Sequence, residues 1–383
     1  MTTIRTYLDH NATSPVRPEV TEAMVRALET GGNPSSVHAA GRAAREMVEK
    51  ARDQVAALCG CGTSDVTFTS GGTEANNLCL RSMHAAGYRL FVSATEHPSV
   101  METALELDAT IIPVDEQGVV LAEALDALLA NSDGKQLVSV MAANNETGAL
   151  QDIGSLAKTA KKHGALFHTD AVQAIGKISF NMRYLSVDLV TVSAHKIGGP
   201  AGVGALVINP SVGIMKGIVT GGGQEKGLRP GTENLAGIAG FGAAADAANT
   251  GLQDQDRIRA LRDKLEQQIL DIAPQTQIFG NKAERIGNTS CFAMSGVESD
   301  VQVMSLDLEG IAVSAGAACS SGKVAASPVL LAMGIEKDIA GSALRVSLGW
   351  NTTEEEVSHF VEAWKGLYER LADKTQTATR SAA

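Results

Sequence analysis

The sequence has no uninterrupted apolar stretch of the roughly 18 residues that a membrane span requires. Its first residues include no apolar core of the kind that a secretory signal carries, which favours a cytoplasmic protein. Aromatic residues make up only 4% of the 383 residues, which disfavours an all-β sandwich. The formal net charge is −11 and no basic run occurs, so we expect neither nucleic acid nor a membrane as a partner.

Cysteine is also scarce: the chain has five, and an odd, small number disfavours a disulfide framework. Cys59 and Cys61 form a CxC pair, but no second pair and no histidine stands nearby at ligand spacing. We therefore interpret this pair as small apolar residues at a helix end, and we expect no resident metal.

What the chain does have is 44% hydrophobic and 20% charged residues, enough for a large core without disulfides. Between residues 16 and 250, short apolar runs alternate with helical segments, which predicts a large α/β domain with a mainly parallel sheet. The predicted strands of this domain are Val66–Thr69, Leu90–Ser93, Ile111–Val114, Leu137–Ala142, Ala165–His168, Leu189–Ser193 and Val203–Ile208.

Residues 1–15 and 251–375 are assigned to a smaller α+β domain, and residues 376–383 to a disordered tail. A long helix is predicted over 252–273. A final helix follows Thr353, which forms a capping box with Glu356. The predicted strands here are Gln277–Phe279, Asn288–Ala293, Ile311–Ser314 and Ala343–Leu348.

Lys196 follows a predicted buried strand and leads into a glycine turn, in the segment SAHKIGGP. This places it at the carboxyl edge of a parallel sheet, where α/β enzymes bind ligands. Burial would lower the pKa of the amine and favour the neutral form that makes a Schiff base. A surface lysine beside a turn is the alternative, and this segment alone does not decide between them.

Asp170 ends another apolar strand, and Gln173 follows three residues later. Asp170 could pair with a protonated pyridine nitrogen, which pyridoxal phosphate needs if it is to accept electrons. Gln173 could donate to the phenolic oxygen of the same cofactor. An aspartate that caps a helix is the other interpretation, and it is compatible with the first.

A glycine-rich turn, Ser70-Gly71-Gly72-Thr73, joins a predicted strand to a helix. Backbone N–H groups at such a turn can bind an anion. The turn matches neither the dinucleotide-binding nor the P-loop pattern, so alone it is weak evidence for a phosphate site.

His97 and Asn145 also follow apolar strands. A histidine at such an edge can stack on a planar ring and transfer protons, although a structural histidine is the commoner case. Asn145 could hydrogen-bond a ring substituent. Four strand ends therefore carry chemically capable groups, and together they favour a cofactor site more strongly than any one of them does.

Cys319 lies in a segment of small residues, SAGAACSSG, which predicts a mobile, exposed loop with a candidate nucleophile. The other four cysteines lie in helix or strand contexts and are interpreted as packing residues. Arg345 interrupts an apolar strand, which indicates either recognition of a carboxylate or a structural salt bridge.

The ordered motifs resemble the cysteine desulfurases of the NifS/IscS type. These belong to the class V aminotransferases within the aspartate aminotransferase-like, fold-type I pyridoxal-phosphate enzymes. The resemblance covers essentially the whole chain. Its motifs are YLDHNAT, GNPSSVH, TSGGTEANN, EHPSV, ANNETG, HTDAVQAIGK, SAHKIGGP, GGGQEKGLRPGTEN, SAGAACSSG and RVSLG.

The resemblance implies a homodimer that binds pyridoxal 5′-phosphate (PLP) and converts L-cysteine to L-alanine. Cys319 would take the sulfur as a persulfide and pass it to an acceptor or scaffold protein for iron–sulfur cluster assembly. Whether Cys319 is also a transient cluster ligand stays open. Lys196 would hold PLP and move the Cα proton. The remaining implied contacts are Asp170 with the pyridinium, Gln173 with the phenolic oxygen and His97 stacked on the ring.

The resemblance also implies a phosphate site and a site for the substrate carboxylate. The implied phosphate ligands are Gly72, Thr73, Ser193, His195 and, from the other subunit, Thr232. Arg345 and Asn33 would hold the carboxylate. The chain departs from many members after Cys319, where Ala325-Ala326-Ser327 replaces a Glu-Pro-Ser stretch, so the choice of sulfur acceptor is open.

Three other functions stay open. Another class V enzyme, such as an aminotransferase, would have no need for a thiol on a mobile loop. A selenocysteine lyase would use the same residues. A non-catalytic scaffold for sulfur acceptors would not need Lys196, Asp170, His97 and Cys319 together.

Overall fold

The computed structural model describes residues 6–316 and 326–381. In chain order the strands are β1 (Thr6–Tyr7), β2 (Val66–Thr69), β3 (Arg89–Ser93), β4 (Thr110–Ile112), β5 (Gln136–Ser139), β6 (Leu166–Asp170), β7 (Leu189–Ser193), β8 (Gly204–Ile208), β9 (Thr289–Ala293), β10 (Ile311–Ala312), β11 (Ser314–Ala315) and β12 (Ala343–Ser347).

Helices lie between most of these strands. They are α1 (Pro18–Thr30), α2 (Ala39–Cys59), α3 (Gly72–Ala85), α4 (Pro98–Glu106), α5 (Ala122–Ala130), α6 (Ile153–Lys162), α7 (Leu235–Gly251), α8 (Gln255–Ile272), α9 (Ser299–Leu308), α10 (Pro328–Ala332), α11 (Lys337–Gly341) and α12 (Glu354–Ser381).

Seven strands form the large sheet, in the order β2-β8-β7-β6-β5-β3-β4. Strand β8 runs antiparallel to both of its neighbours, β2 and β7. All other neighbouring pairs in this sheet are parallel. Helices cover both faces, so β5 and β7 are buried along their whole length. The predicted α/β class with a mainly parallel sheet is confirmed.

A second sheet, β11-β12-β9, is antiparallel, and β1 pairs in parallel with β10. The hydrophobic cluster beside it includes Phe292, Phe360 and Trp364, and the indole of Trp364 meets Phe292 edge-on at 5.8 Å between ring centroids. Leu8 belongs to the same cluster, so the N-terminal segment packs with the C-terminal third of the chain. The division into domains at residues 15 and 250 stays a prediction.

One local expectation for the C-terminal part differs from the structure. The predicted strand Gln277–Phe279 makes only a single bridge, between Ile278 and Phe292, because Pro274 and Gly280 leave it too short to form a ladder. The final helix continues to Ser381. The assignment of residues 376–383 to a disordered tail stays a prediction.

The predicted capping box is present at the start of α12. The backbone N–H of Thr353 donates to Oε2 of Glu356 at 2.9 Å, and the N–H of Glu356 donates to Oγ1 of Thr353 at 3.3 Å. Across residues 6–316 and 326–381, no helix combines the length and the apolar character that crossing a membrane requires.

Candidate active site

Four predicted site residues lie at the carboxyl edge of the large sheet. His97, Asn145 and Lys196 follow β3, β5 and β7, and Asp170 is the last residue of β6. The carboxyl ends of parallel strands meet at one edge, which is where α/β folds bind ligands. The structure therefore brings these residues to a common site.

Lys196 lies in the 3-10 turn that follows β7, and it is half-buried. Its Nζ donates to the backbone oxygens of Asn11, at 2.6 Å, and Ala12, at 2.7 Å. Burial, together with the positive charge of Arg345, lowers the pKa of this amine to about 8. A substantial fraction of the amine is thus neutral near physiological pH, as a Schiff-base lysine requires. The alternative of an exposed surface lysine does not fit.

Asp170 is held by two hydrogen bonds. Oδ2 accepts from Nδ2 of Asn76 at 2.8 Å, and Oδ1 accepts from the backbone N–H of Val172 at 2.9 Å. Asn76 uses its second N–H to donate to Oγ of Ser99 at 2.9 Å. The carboxylate therefore has a fixed orientation.

The same chain of hydrogen bonds reaches His97, which caps α4. The backbone N–H of Ser99 donates to Nδ1 of His97 at 3.1 Å, so Nδ1 is an acceptor. Ser99 Oγ lies 2.8 Å from the same nitrogen and can give it a second hydrogen. Burial lowers the pKa of His97. The neutral ring then carries its proton on Nε2, the nitrogen that faces away from the cap.

The glycine-rich turn forms an open helix N-terminus. No side chain caps the first turn of α3, so its N–H groups are available to an anion. A Cβ atom added at Gly72 would lie 3.1 Å from a methyl carbon of Val172, which is tighter than an ordinary contact, so glycine lets the turn approach Val172 closely. Thr73 follows at the exposed side of the same turn.

His195 lies in the 3-10 turn after β7, and its Nδ1 is 3.3 Å from Oγ1 of Thr13. Burial, and then the charge of Lys196, lowers its pKa to about 4. It would therefore meet a phosphate as a neutral hydrogen-bond donor rather than as a cation.

Arg345 supports both of the interpretations made from the sequence. Nη2 donates to Oδ1 of Asp9 at 2.9 Å, and Nη1 donates to the backbone oxygen of Asn145 at 3.1 Å. Its Nε is buried and has no hydrogen-bond partner among the described residues. Arg345 therefore forms a salt bridge with Asp9, and its remaining N–H groups are available to a carboxylate.

The remaining predicted residues are placed differently. Asn33 is exposed, and its side-chain oxygen accepts from the N–H of Ser35 at 2.9 Å instead of reaching Arg345. Thr232 is exposed in the loop before α7. Cys319 lies outside the described residues. The roles of these three residues stay predictions.

Asn11 is the residue at the site that sequence reasoning missed most clearly. It is buried, and besides Lys196 its backbone oxygen accepts from Nε2 of Gln173 at 2.9 Å. Its side-chain oxygen accepts from Nζ of Lys177 at 3.1 Å and from Nδ2 of Asn288 at 3.0 Å. Asn11 stands in the motif YLDHNAT, which was noted without assigning it a role.

Lys177 is the second missed residue. It is buried, and its Nζ donates to Oε1 of Gln173 at 2.6 Å as well as to Asn11. Burial holds the pKa of Lys177 well below its usual value, and the nearby charges of Lys196 and Arg345 act in the same direction. The bond from Lys177 fixes the amide of Gln173 so that its N–H groups point toward Asn11 and the site.

The residues present fit PLP. Asn145 Oδ1, like Arg345 Nε, is buried with no partner in the described part of the chain. The other groups that fit PLP are the amine of Lys196 with its lowered pKa, the oriented carboxylate of Asp170 and the uncapped N-terminus of α3. Lys196 would hold the aldehyde carbon, Asp170 the ring nitrogen and the turn at Gly72 the phosphate. The fold and the site together define a PLP enzyme of fold type I.

The comparison with known proteins narrows this class. The chain belongs to the aminotransferase class-V family, which it matches over residues 6–360 and whose cofactor is PLP. It is 42% identical over 378 residues to a cysteine desulfurase of Cereibacter sphaeroides, with 96% of each chain covered. It is 40% identical over 374 residues to cysteine desulfurase 2 of Trichormus variabilis, covering 95% of this chain and 93% of that protein.

Solved structures agree with this assignment. The NifS-like protein from Rickettsia africae has a TM-score of 0.89 and 37% sequence identity, over 95% of this chain and 99% of that one. The predicted resemblance to the NifS/IscS type and the predicted cofactor are confirmed.

Proposed function

We propose that this chain is a PLP-dependent cysteine desulfurase that converts L-cysteine to L-alanine and carries the sulfur on Cys319. The observation that carries the proposal is the position of Lys196. Its amine, with a pKa of about 8, faces the same site as Nε of Arg345 and Oδ1 of Asn145, which have no hydrogen-bond partner among the residues that the structure describes. Similarity over nearly the whole chain to cysteine desulfurases supports the choice of substrate.

Bound PLP supplies an electron sink conjugated to the substrate amine. The residues of the chain provide the rest. Arg345 binds the substrate carboxylate through its free N–H groups. Lys196, once released, takes the proton from Cα as a neutral amine. Nε2 of His97 stands ready to give or take a proton at the substrate.

In the proposed sulfur-transfer step, Cys319 is the nucleophile. Its thiolate attacks the sulfur of the substrate, so that an S–S bond forms and the C–S bond breaks. The electron pair of the broken bond goes to the β-carbon of the substrate, which takes a proton. Lys196 returns the proton to Cα, so that the product leaves as L-alanine. The product on the protein is a persulfide, which a sulfur-acceptor or scaffold protein would remove for iron–sulfur cluster assembly.

The first experiment measures sulfide and alanine from L-cysteine in the presence of a reductant. Wild type should give both products in equal amounts. Cys319→Ala should keep its yellow cofactor and give neither product, whereas the control Cys61→Ala should behave as wild type. If Cys319→Ala is as active as wild type, Cys319 is not the sulfur carrier. Other amino acids and selenocysteine would then be screened for aminotransferase or lyase activity.

A homodimer is part of the proposal, because Thr232 is exposed and the resemblance assigns it to the phosphate of the cofactor in the other subunit. Lys196→Ala and Thr232→Ala proteins would be unfolded, mixed and refolded together. Each mixed dimer has one site with an intact Lys196 and an intact Thr232 of the partner subunit. Activity above that of either variant alone supports sites shared between subunits, and no gain contradicts them.

A cytoplasmic location belongs to the proposal as well. Four described cysteines, Cys59, Cys61, Cys79 and Cys291, are free thiols, which suits a reducing compartment. Fractionation of the source cells would test it, and recovery with secreted proteins would contradict it.

A further inference from the structure

Gly316 and Ser327, which stand on either side of residues 317–325, both lie against the carboxyl group of Glu146. Ser327 donates through Oγ to Oε2 of Glu146 at 2.5 Å. A Cβ atom added at Gly316 would lie 3.0 Å from the same oxygen. One buried carboxyl oxygen thus contacts the chain just before and just after this segment.

The hydrogen bonds of Ser327 show which way its hydroxyl points. Its Oγ accepts from the backbone N–H of Leu330 at 3.1 Å and thereby caps α10. A hydroxyl has one hydrogen, which is therefore left for Glu146. Loss of Glu146 would remove this hydrogen bond between Ser327 and the loop after β5.

Glu146 is itself held beside the proposed site for the substrate carboxylate. Its backbone N–H donates to Oδ1 of Asn144 at 2.9 Å, and the preceding residue, Asn145, accepts from Arg345. The second connection is through β11, where Ser314 pairs with Arg345 two residues before Gly316. Glu146 therefore lies between the proposed carboxylate site and both ends of the segment that contains Cys319.

The groups that face Glu146 are Arg345 from β12, Cys291 from β9 and Ser327 from the start of α10. Burial raises the pKa of Glu146 to about 7, and Ser327 and Arg345 act in the opposite direction. In either protonation state the carboxyl keeps an oxygen that accepts from Ser327.

We propose that Glu146 is a positioning residue for sulfur transfer, which holds Gly316 and Ser327 next to the hydrogen bond between Asn145 and Arg345. It thereby fixes both ends of the segment that carries the nucleophile. The inference rests on the proposed function, since it assigns sulfur transfer to Cys319.

The test compares Glu146→Ala, Ser327→Ala and the double variant with Glu146→Gln, whose amide oxygen still accepts from Ser327. PLP-loaded protein is mixed with L-cysteine, and the persulfide on Cys319 is followed by mass spectrometry in a single turnover. Both alanine variants should form the persulfide about tenfold more slowly, and the double variant should be no slower than either. Glu146→Gln should remain within about twofold of wild type. The content of bound PLP and the binding of L-alanine, which need no thiol, should not change.

Hydrogen exchange provides a readout independent of activity. Backbone amides of residues 329–332 should exchange faster in Glu146→Ala and Ser327→Ala, with or without PLP, and at the wild-type rate in Glu146→Gln. Asp152→Ala is the matched control. It removes a carboxylate that accepts from the N–H of Ser155 at 3.0 Å at the start of α6, in the same sheet-bearing part of the chain.

Persulfide formation at the wild-type rate in Glu146→Ala would overturn the inference. So would an equal defect in Glu146→Gln, or additive defects in the double variant. If wild type itself formed no persulfide, the proposed function would fail. The exchange pattern, which needs no substrate, would then still decide whether Glu146 holds residues 328–332.

Discussion

Asn76 donates a hydrogen bond from its side-chain amide to Oδ2 of Asp170, across 2.8 Å, although the two residues are 94 positions apart. The same amide donates to Ser99, which contacts His97. The carboxylate proposed for the cofactor nitrogen and the histidine proposed for the cofactor ring are thus aligned by one buried asparagine.

Asn76→Ala should weaken PLP binding, because Asp170 loses a donor that holds it in place. A hydrogen bond to a charged group contributes roughly 1.5–3 kcal/mol, so we expect the Kd for PLP to rise at least about tenfold. Titration of cofactor-free protein with PLP, followed by absorbance, measures this. Asn77→Ala is the control, because the side chain of Asn77 bonds to Thr73, Arg81 and Thr103 rather than to Asp170 or Ser99. Equal Kd values for the two variants would contradict the prediction.

The amine of Lys196 should react as a group with a pKa of about 8 in cofactor-free protein. Its pKa is lowered from 10.5, so the neutral amine becomes available as the pH rises through 8. Arg345→Met removes a positive charge and should shift the midpoint of Lys196 acylation to higher pH. Mass spectrometry of the acylated peptide after short pulses at pH 6 to 11 measures the midpoint. Arg81→Met, on the exposed surface, should leave it unchanged, and a midpoint near 10.5 in wild type would refute the assignment.

Glu146→Gln should change how stability depends on pH. Because the folded-state pKa of Glu146 is raised to about 7, the folded protein keeps a proton that the unfolded chain loses near 4.5. The free energy of unfolding contributed by this group therefore falls as the pH rises from 4.5 to 7, by about 3 kcal/mol at most. Relative to wild type, Glu146→Gln should gain stability across this window and change no further above it. Urea denaturation at several pH values measures the difference, and a constant difference would exclude the shift.

Asn11→Ala should destabilise the protein strongly. The change removes the side-chain oxygen that accepts from Lys177 and Asn288, so that two buried donors lose this partner. A loss of about 3 kcal/mol in the free energy of unfolding is expected. Asn131→Ala, which removes an exposed bond to Ala127 at the end of α5, should cost less than about 0.5 kcal/mol. Urea denaturation of both variants tests this, and similar losses would contradict it.

The polar residues at the carboxyl edge of the large sheet could be predicted from the sequence because a single rule determines where they lie. Apolar strands of four or five residues are recognisable, and the polar residue that follows each one must lie at a common edge when the strands are parallel. His97, Asn145, Asp170 and Lys196 were found in this way.

The residues that support this edge could not be found in the same way. Asn11 lies 185 positions from Lys196, and Glu146 lies 181 positions from Ser327. Periodicity and spacing report on neighbours in sequence, so they cannot show which distant polar groups pair. Each of these residues stood inside a motif, but its partner became visible only in three dimensions. Thr232 was predicted from the resemblance, but a single chain cannot show its contact, because the predicted partner belongs to another subunit.

The pairing of β1 with β10, and of the Asn11 backbone with Ser347, has a consequence for synthesis of the protein. The first described residues find their partners only after the ribosome has made more than three hundred others. Until then Asn11 lacks its hydrogen bonds to Asn288, Thr289 and Ser347, which help to fix the carbonyl that accepts from Lys196. Cofactor capture should therefore follow completion of the chain. Nascent chains stalled before β12 should hold no PLP, even where the large sheet has already formed.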